Sequence, residues 1–301
     1  MVFIPTIRLW HICVIKRIHM HKILTLISKF FPFLKLKSLY YWAMYQLMAQ
    51  AYRQEKDWTF MNYGYLPESD GQFLKLAPED EPNRPYIELY QRLVCDVSLQ
   101  GKRVLEVGCG RGGGAAFLQK YHAPKELVGL DVGPSAISFC QKRHVQKGLT
   151  FVAGNAQDLP FPDQSFDVVV NLESCHCYDS QELFFQEVKR VLAPEGIFLL
   201  ADLRMNHEIA YLEEQISRAR PKIQRKEDLT EGVFRSLKQT GEQKLKLFST
   251  YKPQGWLGVM AKYFPQTFQQ SFKAFAATEG SAIYSQFQRK ERSYLFYRMG
   301  F

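Results

Sequence analysis

Short apolar runs alternate with amphipathic stretches through the middle of the chain, beginning just after Gly101. Five of these runs are apolar on both faces, which is typical of strands in a parallel sheet that helices cover on both sides. They span residues 103–109, 126–131, 149–155, 166–173 and 196–203. The stretches between them are long enough to be crossover helices. The pattern therefore predicts an α/β fold with a doubly wound, mostly parallel sheet.

Two further runs near the C-terminus complete the predicted sheet. Residues 283–288 and 293–299 lie on either side of a charged turn, which predicts a terminal hairpin and brings the sheet to seven strands. Between 221 and 280 the chain is basic, aromatic and weakly periodic, which predicts a helical insertion before that hairpin. This insertion would either cap an apolar tunnel or pack against the sheet.

The predicted organisation has five segments. They are a basic apolar helical arm (1–54), a lid or helical lead-in (55–100), a ligand-binding core (101–220), a substrate-cap insertion (221–280) and the terminal β-hairpin (281–301).

The net charge changes sign twice along the chain. Residues 1–54 carry eight Lys or Arg and no acidic residue, residues 55–216 are acidic overall, and the remainder is basic again. A nucleic-acid binder would spread basic charge over its reading surface, so the distribution argues against nucleic acid and favours contact with anionic lipid. Basic residues interrupt the arm before 18 apolar residues accumulate, so it should not span a bilayer. The arm is either an interfacial membrane helix or a helix packed on its own domain.

Composition narrows the class of protein. With 301 residues, 46% of them apolar and 14% aromatic, the chain can bury a core and is not disordered as a whole. Its six cysteines lack the spacing of a disulfide framework, which indicates a reducing compartment. We expect a cytoplasmic protein, attached peripherally to the membrane if the arm binds lipid. The sequence leaves the oligomeric state open.

A glycine-rich turn follows the first predicted strand and precedes a helix. Its sequence, EVGCGRGGG from Glu106 to Gly114, lets the main chain turn sharply and present N–H donors to a ligand. Dinucleotide-binding enzymes use such a turn as well. Glu106 would repel a pyrophosphate, however, so we expect a ligand with positive charge near the turn. Asp131, at the end of the second strand, is placed to accept both hydroxyls of a ribose.

A cationic amino acid joined to a nucleoside without phosphates fits these two carboxylates, and S-adenosylmethionine has this chemistry. The predicted cofactor-binding residues come from the turn and from the ends of the second to fourth strands. They are Glu106, Gly108, Cys109, Gly110, Asp131, Val132, Asn155, Ala156 and Asn171. We expect no metal in the reaction.

Beyond these residues, the sequence resembles the class I S-adenosylmethionine-dependent methyltransferases. The stretches GNAQDLPF (154–161) and FDVVV (166–170) are similar to the loop and the strand that follow in that superfamily. There an acidic residue usually precedes the alanine and accepts a hydrogen bond from the adenine amino group. Asn155 occupies that position here, and its side-chain carbonyl can still accept.

A narrower resemblance rests on DEPNR (80–84), ESCHCY (173–178) and ADLR (201–204). These stretches are similar to the mycobacterial phthiotriolone and phenolphthiotriolone dimycocerosate methyltransferases. The resemblance implies a Rossmann-like fold and methylation of a hydroxyl on a hydrophobic, lipid or polyketide-like substrate. Sterol methyltransferases are more distant relatives, so methylation of carbon in a sterol-like or isoprenoid alkene is the alternative. A lipid-surface binding module without turnover is the alternative from another class.

The end of the fourth strand is the predicted catalytic region, because parallel strands present their carboxyl ends to the ligand. His176 could take the proton of a hydroxyl as the methyl group arrives, or it could be a buried histidine that only hydrogen-bonds Glu173. Glu173 could orient His176 or close the cofactor pocket. Cys175 and Cys177 flank the histidine, and buried thiols are favoured over a metal site because a fourth ligand is missing.

Four side chains are predicted to face the substrate: Tyr63, Tyr65, Tyr178 and Arg204. The aromatic stretch 58–66 would act as a lid or simply pack. Arg204 would touch substrate or form an ion pair with Asp202. His144 is expected on a solvated helix face.

Overall fold

The computed structural model describes residues 55–68, 74–250, 258–259, 262–263, 273 and 276–301. The predicted arm and most of the region 251–275 lie outside these residues, so their predicted roles and the five segment boundaries stay predictions. Within the described residues, no helix has both the length and the apolar character needed to cross a membrane.

Seven strands form one sheet, which confirms the predicted fold class. The strands are β1 (Arg103–Val107), β2 (Glu126–Asp131), β3 (Leu149–Ala153), β4 (Phe166–Leu172), β5 (Leu192–Met205), β6 (Lys222–Asp228) and β7 (Arg292–Gly300). Their order across the sheet is β3-β2-β1-β4-β5-β7-β6. The first five strands are mutually parallel, whereas β7 is antiparallel to both of its neighbours. The carboxyl ends of β1, β2 and β4 therefore meet at one edge of the sheet.

Helices cover both faces of this sheet. They are α1 (Arg84–Val94), α2 (Gly113–His122), α3 (Pro134–Arg143), α4 (Gln181–Val191), α5 (Ile209–Arg218), α6 (Thr230–Thr250) and α7 (Ala282–Gln288). One hydrophobic cluster joins the sheet to α1, α2, α3, α6 and α7, and the other joins it to α4 and α5. Because β1 and β4 contact both clusters, their apolar residues are buried on alternate sides, as the sequence pattern predicts.

The prediction that residues 283–288 form a strand of a hairpin is wrong, since these residues belong to the helix α7. Ser281 caps this helix, because its Oγ accepts a hydrogen bond from the Tyr284 N–H at 3.2 Å. Helical spacing then places Tyr284 and Phe287 on one face, with ring centroids 5.2 and 6.4 Å from that of Phe234. The aromatic pair therefore serves helix packing rather than a pleated sheet.

The sequence pattern missed the strand β6. It is β6, and not residues 283–288, that pairs with the outer side of β7 in antiparallel orientation. Its sequence, KIQRKED, has one apolar residue, Ile223, which is 51% exposed. β6 is an edge strand, and charged side chains are tolerated there and discourage pairing with other chains. Hydrophobic periodicity cannot reveal a strand of this kind. The predicted insertion accordingly begins with a strand of the core, followed by α6.

Replacing Gly114 by alanine should lower the free energy of unfolding by about 1–3 kcal/mol. A Cβ at this position in α2 would approach Tyr90 Cζ to 2.0 Å. Tyr90 is buried and donates a hydrogen bond to Glu106, so its ring cannot move aside without losing that contact. Urea unfolding followed by circular dichroism measures the change.

Gly241→Ala is the matched control for this substitution. Gly241 also lies in a helix, but the nearest atom to its added Cβ is Thr278 Cγ2, at an ordinary 3.7 Å. This variant should be as stable as the wild type or more stable, because alanine favours helix over glycine. Equal stability of the Gly114 and Gly241 variants would mean that Tyr90 relaxes without cost.

Candidate functional site

The turn between β1 and α2 has room for backbone only. Gly108 and Gly112 both have φ of +77°, a conformation that other residues adopt rarely. A Cβ on Gly108 would lie 2.0 Å from Ser174 Oγ, and one on Gly112 would lie 2.9 Å from the His144 ring. The two glycines are therefore required by shape, and the turn can bring its backbone close to a ligand.

Asp131, at the end of β2, turns its carboxylate toward this turn. Its Oδ2 accepts from the Gly110 N–H at 3.0 Å and its Oδ1 accepts from the Gly133 N–H at 2.8 Å. Burial raises the pKa of Asp131, and the two backbone N–H groups act in the opposite direction. A carboxylate has about four acceptor sites. Asp131 therefore retains capacity for the two ribose hydroxyls of a nucleoside.

Glu106 is the deepest carboxylate of the site, with 1% of its surface exposed. Its Oε1 accepts a hydrogen bond from the Tyr90 hydroxyl at 2.7 Å. Its Oε2 is buried and has no hydrogen-bond partner among the described residues. Burial raises the pKa of Glu106 to about 7. A buried acceptor without a donor fits the ammonium group of a methionine moiety.

The other predicted cofactor residues lie around the same edge of the sheet. Cys109 and Ala156 are buried, while Val132 is 52% exposed. Asn155 is exposed, and its Oδ1 accepts from the Gln157 N–H at 3.0 Å, so its own loop uses the atom expected to meet adenine. The predicted contact of Asn155 stays a prediction and requires that atom to take a second donor.

Asn171 connects β4 to the glycine-rich turn. Its Nδ2 donates to the Val107 carbonyl at 2.9 Å and to the Tyr178 hydroxyl at 3.1 Å. Its Oδ1 is buried without a hydrogen-bond partner in the part of the chain that the structure describes. The Tyr178 hydroxyl also lies 2.7 Å from Ser174 Oγ. Asn171 and Tyr178 therefore line the turn together.

Glu173 follows β4 in a left-handed conformation, with φ of +49°. Its Oε1 accepts from the Tyr63 N–H at 2.8 Å and from the Tyr294 hydroxyl at 3.0 Å. Tyr63 belongs to the predicted lid and Tyr294 belongs to β7. These contacts tie the lid to the sheet, which agrees with a closing role for Glu173.

The carboxylate that orients His176 is Asp202, at the end of β5. His176 Nδ1 lies 2.7 Å from Asp202 Oδ1, and the His176 backbone N–H donates to Asp202 Oδ2 at 2.8 Å. Burial acts to lower the pKa of His176, but Cys177 and Asp202 outweigh it and raise the pKa to about 10. The imidazole is therefore mainly protonated at neutral pH.

Asp202 also forms an ion pair with Arg204. This pairing is the role that the sequence left open for Arg204 besides a direct contact with substrate. Arg204 Nη1 lies 2.9 Å from Asp202 Oδ2, and Arg204 Nη2 donates to Cys175 Sγ at 3.0 Å. Arg204 is only 3% exposed. Although burial opposes it, the positive charges of Arg204 and His176 hold the pKa of Asp202 well below its usual range. The Cys175 thiol serves this buried network, and no group of three metal-ligating side chains occurs within the described residues.

Residues 55–66, which we call the strap, cross the glycine-rich turn and reach the end of β4. The Thr59 carbonyl accepts from the Gly113 N–H at 3.2 Å. At the other end, Tyr63 binds Glu173. Tyr65, half-buried, packs closely beside Gly232, where a Cβ would lie 2.1 Å from its ring. The strap therefore lies over the turn as a lid would.

Arg111 is a residue of the site that the sequence reasoning missed. Its Nε donates to the Trp58 carbonyl and its Nη2 donates to the Glu55 carbonyl at 2.6 Å. The guanidinium carbon lies 4.8 Å from the centroid of the Trp58 ring and 3.7 Å from that of Phe139. The one signal in the sequence that could have indicated a role for Arg111 is a long cationic side chain placed between glycines. Arg111 fastens the strap to the turn.

His144 supports the same turn, contrary to the prediction of a solvated position. It is 9% exposed, and its Nε2 lies 2.9 Å from the Arg111 carbonyl. The reason is that the end of α3 points back at the turn, where the ring also meets Phe139 and Phe151.

Comparison with known proteins decides the family. Residues 105–200 match the model of a methyltransferase domain. The chain is 46% identical over 179 residues to a probable phthiotriol/phenolphthiotriol dimycocerosates methyltransferase 2 of Mycobacterium ulcerans, across 60% of this chain and 68% of that protein. The chain belongs to this methyltransferase family. The methyltransferase is an S-adenosylmethionine-dependent enzyme, which confirms the predicted family, enzyme class and cofactor.

Two further likenesses extend the comparison. A fatty-acid O-methyltransferase of Mycolicibacterium smegmatis is 45% identical over 166 residues, across 55% of this chain and 60% of that protein. The solved structure of the cyclopropane synthase MmaA2 from Mycobacterium tuberculosis superposes with a TM-score of 0.63 at 13% identity, covering 85% of this chain and 98% of that one. At that identity the structural likeness establishes the shared fold alone.

Replacing Asp131 by alanine should weaken S-adenosylmethionine binding at least about tenfold, because charge-assisted hydrogen bonds to the ribose would be lost. Isothermal titration calorimetry measures the dissociation constant. Asp167→Ala is the matched control, since Asp167 is the second residue of β4, at the opposite edge of the sheet, and is paired with Arg103. An unchanged constant in the Asp131 variant would contradict the ribose assignment.

Cofactor binding should also depend on the charge of Glu106. Because the pKa of this carboxyl is raised to about 7, it is mostly protonated at pH 5.5 and mostly ionised at pH 8. A cation binds the ionised form, so binding at pH 5.5–7 should strengthen as pH rises and should release a proton. Calorimetry in two buffers of different ionisation enthalpy counts that proton. Glu106→Gln should bind more weakly and release none, and proton release from this variant would assign it to another group.

Proposed function

We propose that the methyltransferase transfers a methyl group to an oxygen atom of a hydrophobic, lipid-class acceptor. A hydroxyl oxygen is the first candidate. The names of two relatives support this substrate class, since one specifies dimycocerosates and the other O-methylation of a fatty acid. We further propose that the predicted arm, residues 1–54, attaches the enzyme peripherally to anionic membrane, where such an acceptor would reside.

The observation that carries the proposal is the pairing of His176 with Asp202 at the carboxyl ends of β4 and β5. A carboxylate that holds Nδ1 fixes the ring orientation, and Nε2 is the ring nitrogen that Asp202 does not hold. Hydroxyl methylation requires such a group, because the acceptor proton must leave as the carbon–oxygen bond forms. His176 is 24% exposed on its side chain, whereas Asp202 is 1% exposed, so the histidine is the member of the pair that a substrate can reach.

The chain's own residues would divide the remaining work. When bound, S-adenosylmethionine supplies a methyl group on a sulfonium, which is electrophilic without help from a metal. Glu106 would hold the ammonium group and Asp131 the ribose, which fixes the direction of the sulfonium. The strap would exclude water from the turn. His176 would receive the acceptor proton at Nε2, with Asp202 stabilising the resulting charge.

A carboxylate acceptor is the second candidate, favoured by the charges around His176. Arg204 is buried against Asp202, so protonated His176 is the cation that a substrate can reach. It would attract an anionic acceptor such as a fatty acid, which needs no base. His176 would then bind the acceptor instead of deprotonating it.

Activity as a function of pH should separate these two acceptors. Because the pKa of His176 is raised to about 10, the neutral base is scarce at pH 7 and its fraction grows about tenfold per pH unit. Turnover of a long-chain alcohol should therefore rise from pH 6.5 to pH 9. At saturating S-adenosylmethionine, turnover of a long-chain acid should stay level and then fall as His176 loses its proton.

His176→Ala should lower kcat on the alcohol by roughly 10²-fold to 10⁴-fold while cofactor affinity stays nearly unchanged. On an acid the same change should act mainly on KM. His207→Ala, an exposed histidine just after β5, is the matched control. Wild-type kinetics of the His176 variant on both acceptors would remove the proposed role.

NMR of the product distinguishes a methyl ether or ester from a carbon-methylated product, the remaining alternative.

A further inference from the structure

We propose that Arg111 is a positioning residue that holds the strap closed over bound S-adenosylmethionine, and thereby sets the rate at which the cofactor leaves. The proposal concerns cofactor exchange and does not depend on which acceptor is methylated. Four observations support it: the donor geometry of Arg111, its burial, its place in the turn, and the attachment of the strap at its far end.

The contacts of Arg111 suit a guanidinium and no other side chain. Its Nε and Nη2 reach two backbone carbonyls of the strap, at Trp58 and Glu55, while its guanidinium carbon lies 4.8 and 3.7 Å from the centroids of two aromatic rings. Lysine has a single nitrogen and no planar face, so it cannot make both carbonyl contacts and stack as well. Two strap residues three positions apart are therefore held by one side chain.

The buried charge of Arg111 does not prevent the strap from opening. Arg111 is 1% exposed, and burial lowers the pKa of its guanidinium to about 10, so the group stays charged at neutral pH. At Nε and Nη2, strap carbonyls replace the water that a buried cation loses, and two ring faces lie close to the group. When the strap lifts, water can take their place, so opening does not leave a buried charge without partners. Such a contact can open and close during each catalytic cycle.

Arg111 also lies within the backbone that would bind the cofactor. The preceding residue, Gly110, donates its N–H to Asp131, the expected ribose ligand. On the other side, Gly113 donates its N–H to Thr59 of the strap. Met61 Sδ would lie 3.0 Å from a Cβ on Gly110, so the strap rests directly on the turn. Strap closure and placement of the ribose-binding carboxylate therefore share one short stretch of chain.

The far end of the strap is attached across the crevice. Tyr63 donates its N–H to Glu173 after β4, whereas Arg111 holds the strap beside β1 and β2. The strap thus spans the gap between the strands whose ends carry the cofactor residues. A cofactor bound under the strap would leave more slowly while these two attachments hold, together with the Thr59–Gly113 and Lys56–Arg143 hydrogen bonds of the strap.

The test compares Arg111→Lys with Arg103→Lys in the full-length enzyme, using S-adenosylhomocysteine as the probe. Arg103 is a matched control, because it is the first residue of β1 and binds a backbone carbonyl and a carboxylate at the opposite edge of the sheet from Arg111. Arg111→Lys should raise the dissociation rate of the probe about tenfold or more, measured by stopped-flow displacement. Arg103→Lys should leave it within about twofold.

Hydrogen exchange of residues 55–66 provides the readout that a merely stabilising residue would not affect. The probe should slow exchange of the strap in the wild type and in Arg103→Lys, and should slow it much less in Arg111→Lys. An unchanged dissociation rate in Arg111→Lys would overturn the proposal, as would full protection of its strap by the probe.

Trp58→Leu tests the same contact from the side of the strap, and serves if Arg111→Lys does not fold. It removes one ring from the guanidinium and should also accelerate release of the probe. Combined with Arg111→Lys, it should add less than its separate effect, because both changes disrupt one contact. Fully additive effects on the dissociation rate would mean that the two residues act independently, and would contradict the proposal.

Discussion

The absence of space for a side chain at the turn between β1 and α2 constrains the rest of the site. Ser174 closes on this turn from the end of β4, and His144 closes on it from the end of α3. The strap covers it from outside. Because each of these parts is located by contact with the bare backbone, a displaced turn would displace all of them. The glycines of the turn therefore allow three separate chain segments to pack against it: the end of β4, the end of α3 and the strap.

Three carboxylates at one edge of the sheet are kept in different electrostatic states by their surroundings. Glu106 is buried with a phenol and an unsatisfied oxygen, and its pKa is raised to about 7. Asp131 accepts two backbone N–H groups, which oppose the effect of burial. Asp202 faces two cations, and its pKa is well below the usual range. Each environment suits a different partner: an ammonium group, neutral hydroxyls and an imidazolium.

The parts that the sequence predicted well are those with local signals. Strands β1 to β5 are read from apolar runs, and the positions of Glu106 and Asp131 beside the turn from their places at strand ends next to glycines. The parts that it missed depend on residues far apart in the chain. Arg111 binds carbonyls of residues 53 and 56 positions earlier, and Asp202 meets a histidine 26 positions before it. No periodicity encodes such pairs. The strand β6 escaped for a different reason, since an edge strand needs no apolar face.

The place of β7 in the sheet has a consequence for synthesis of the chain. β6 is made before β7, yet β7 is the strand against which it pairs. At about 5–20 residues per second, translation takes some seconds to cover the residues from 229 to 300. During that interval β5 also lacks its outer neighbour, so its backbone N–H and C=O groups on that side are exposed to other partners. The charged residues of β6 keep this nascent segment hydrated, and a more apolar β6 would leave two unpaired strands prone to aggregation at the same time.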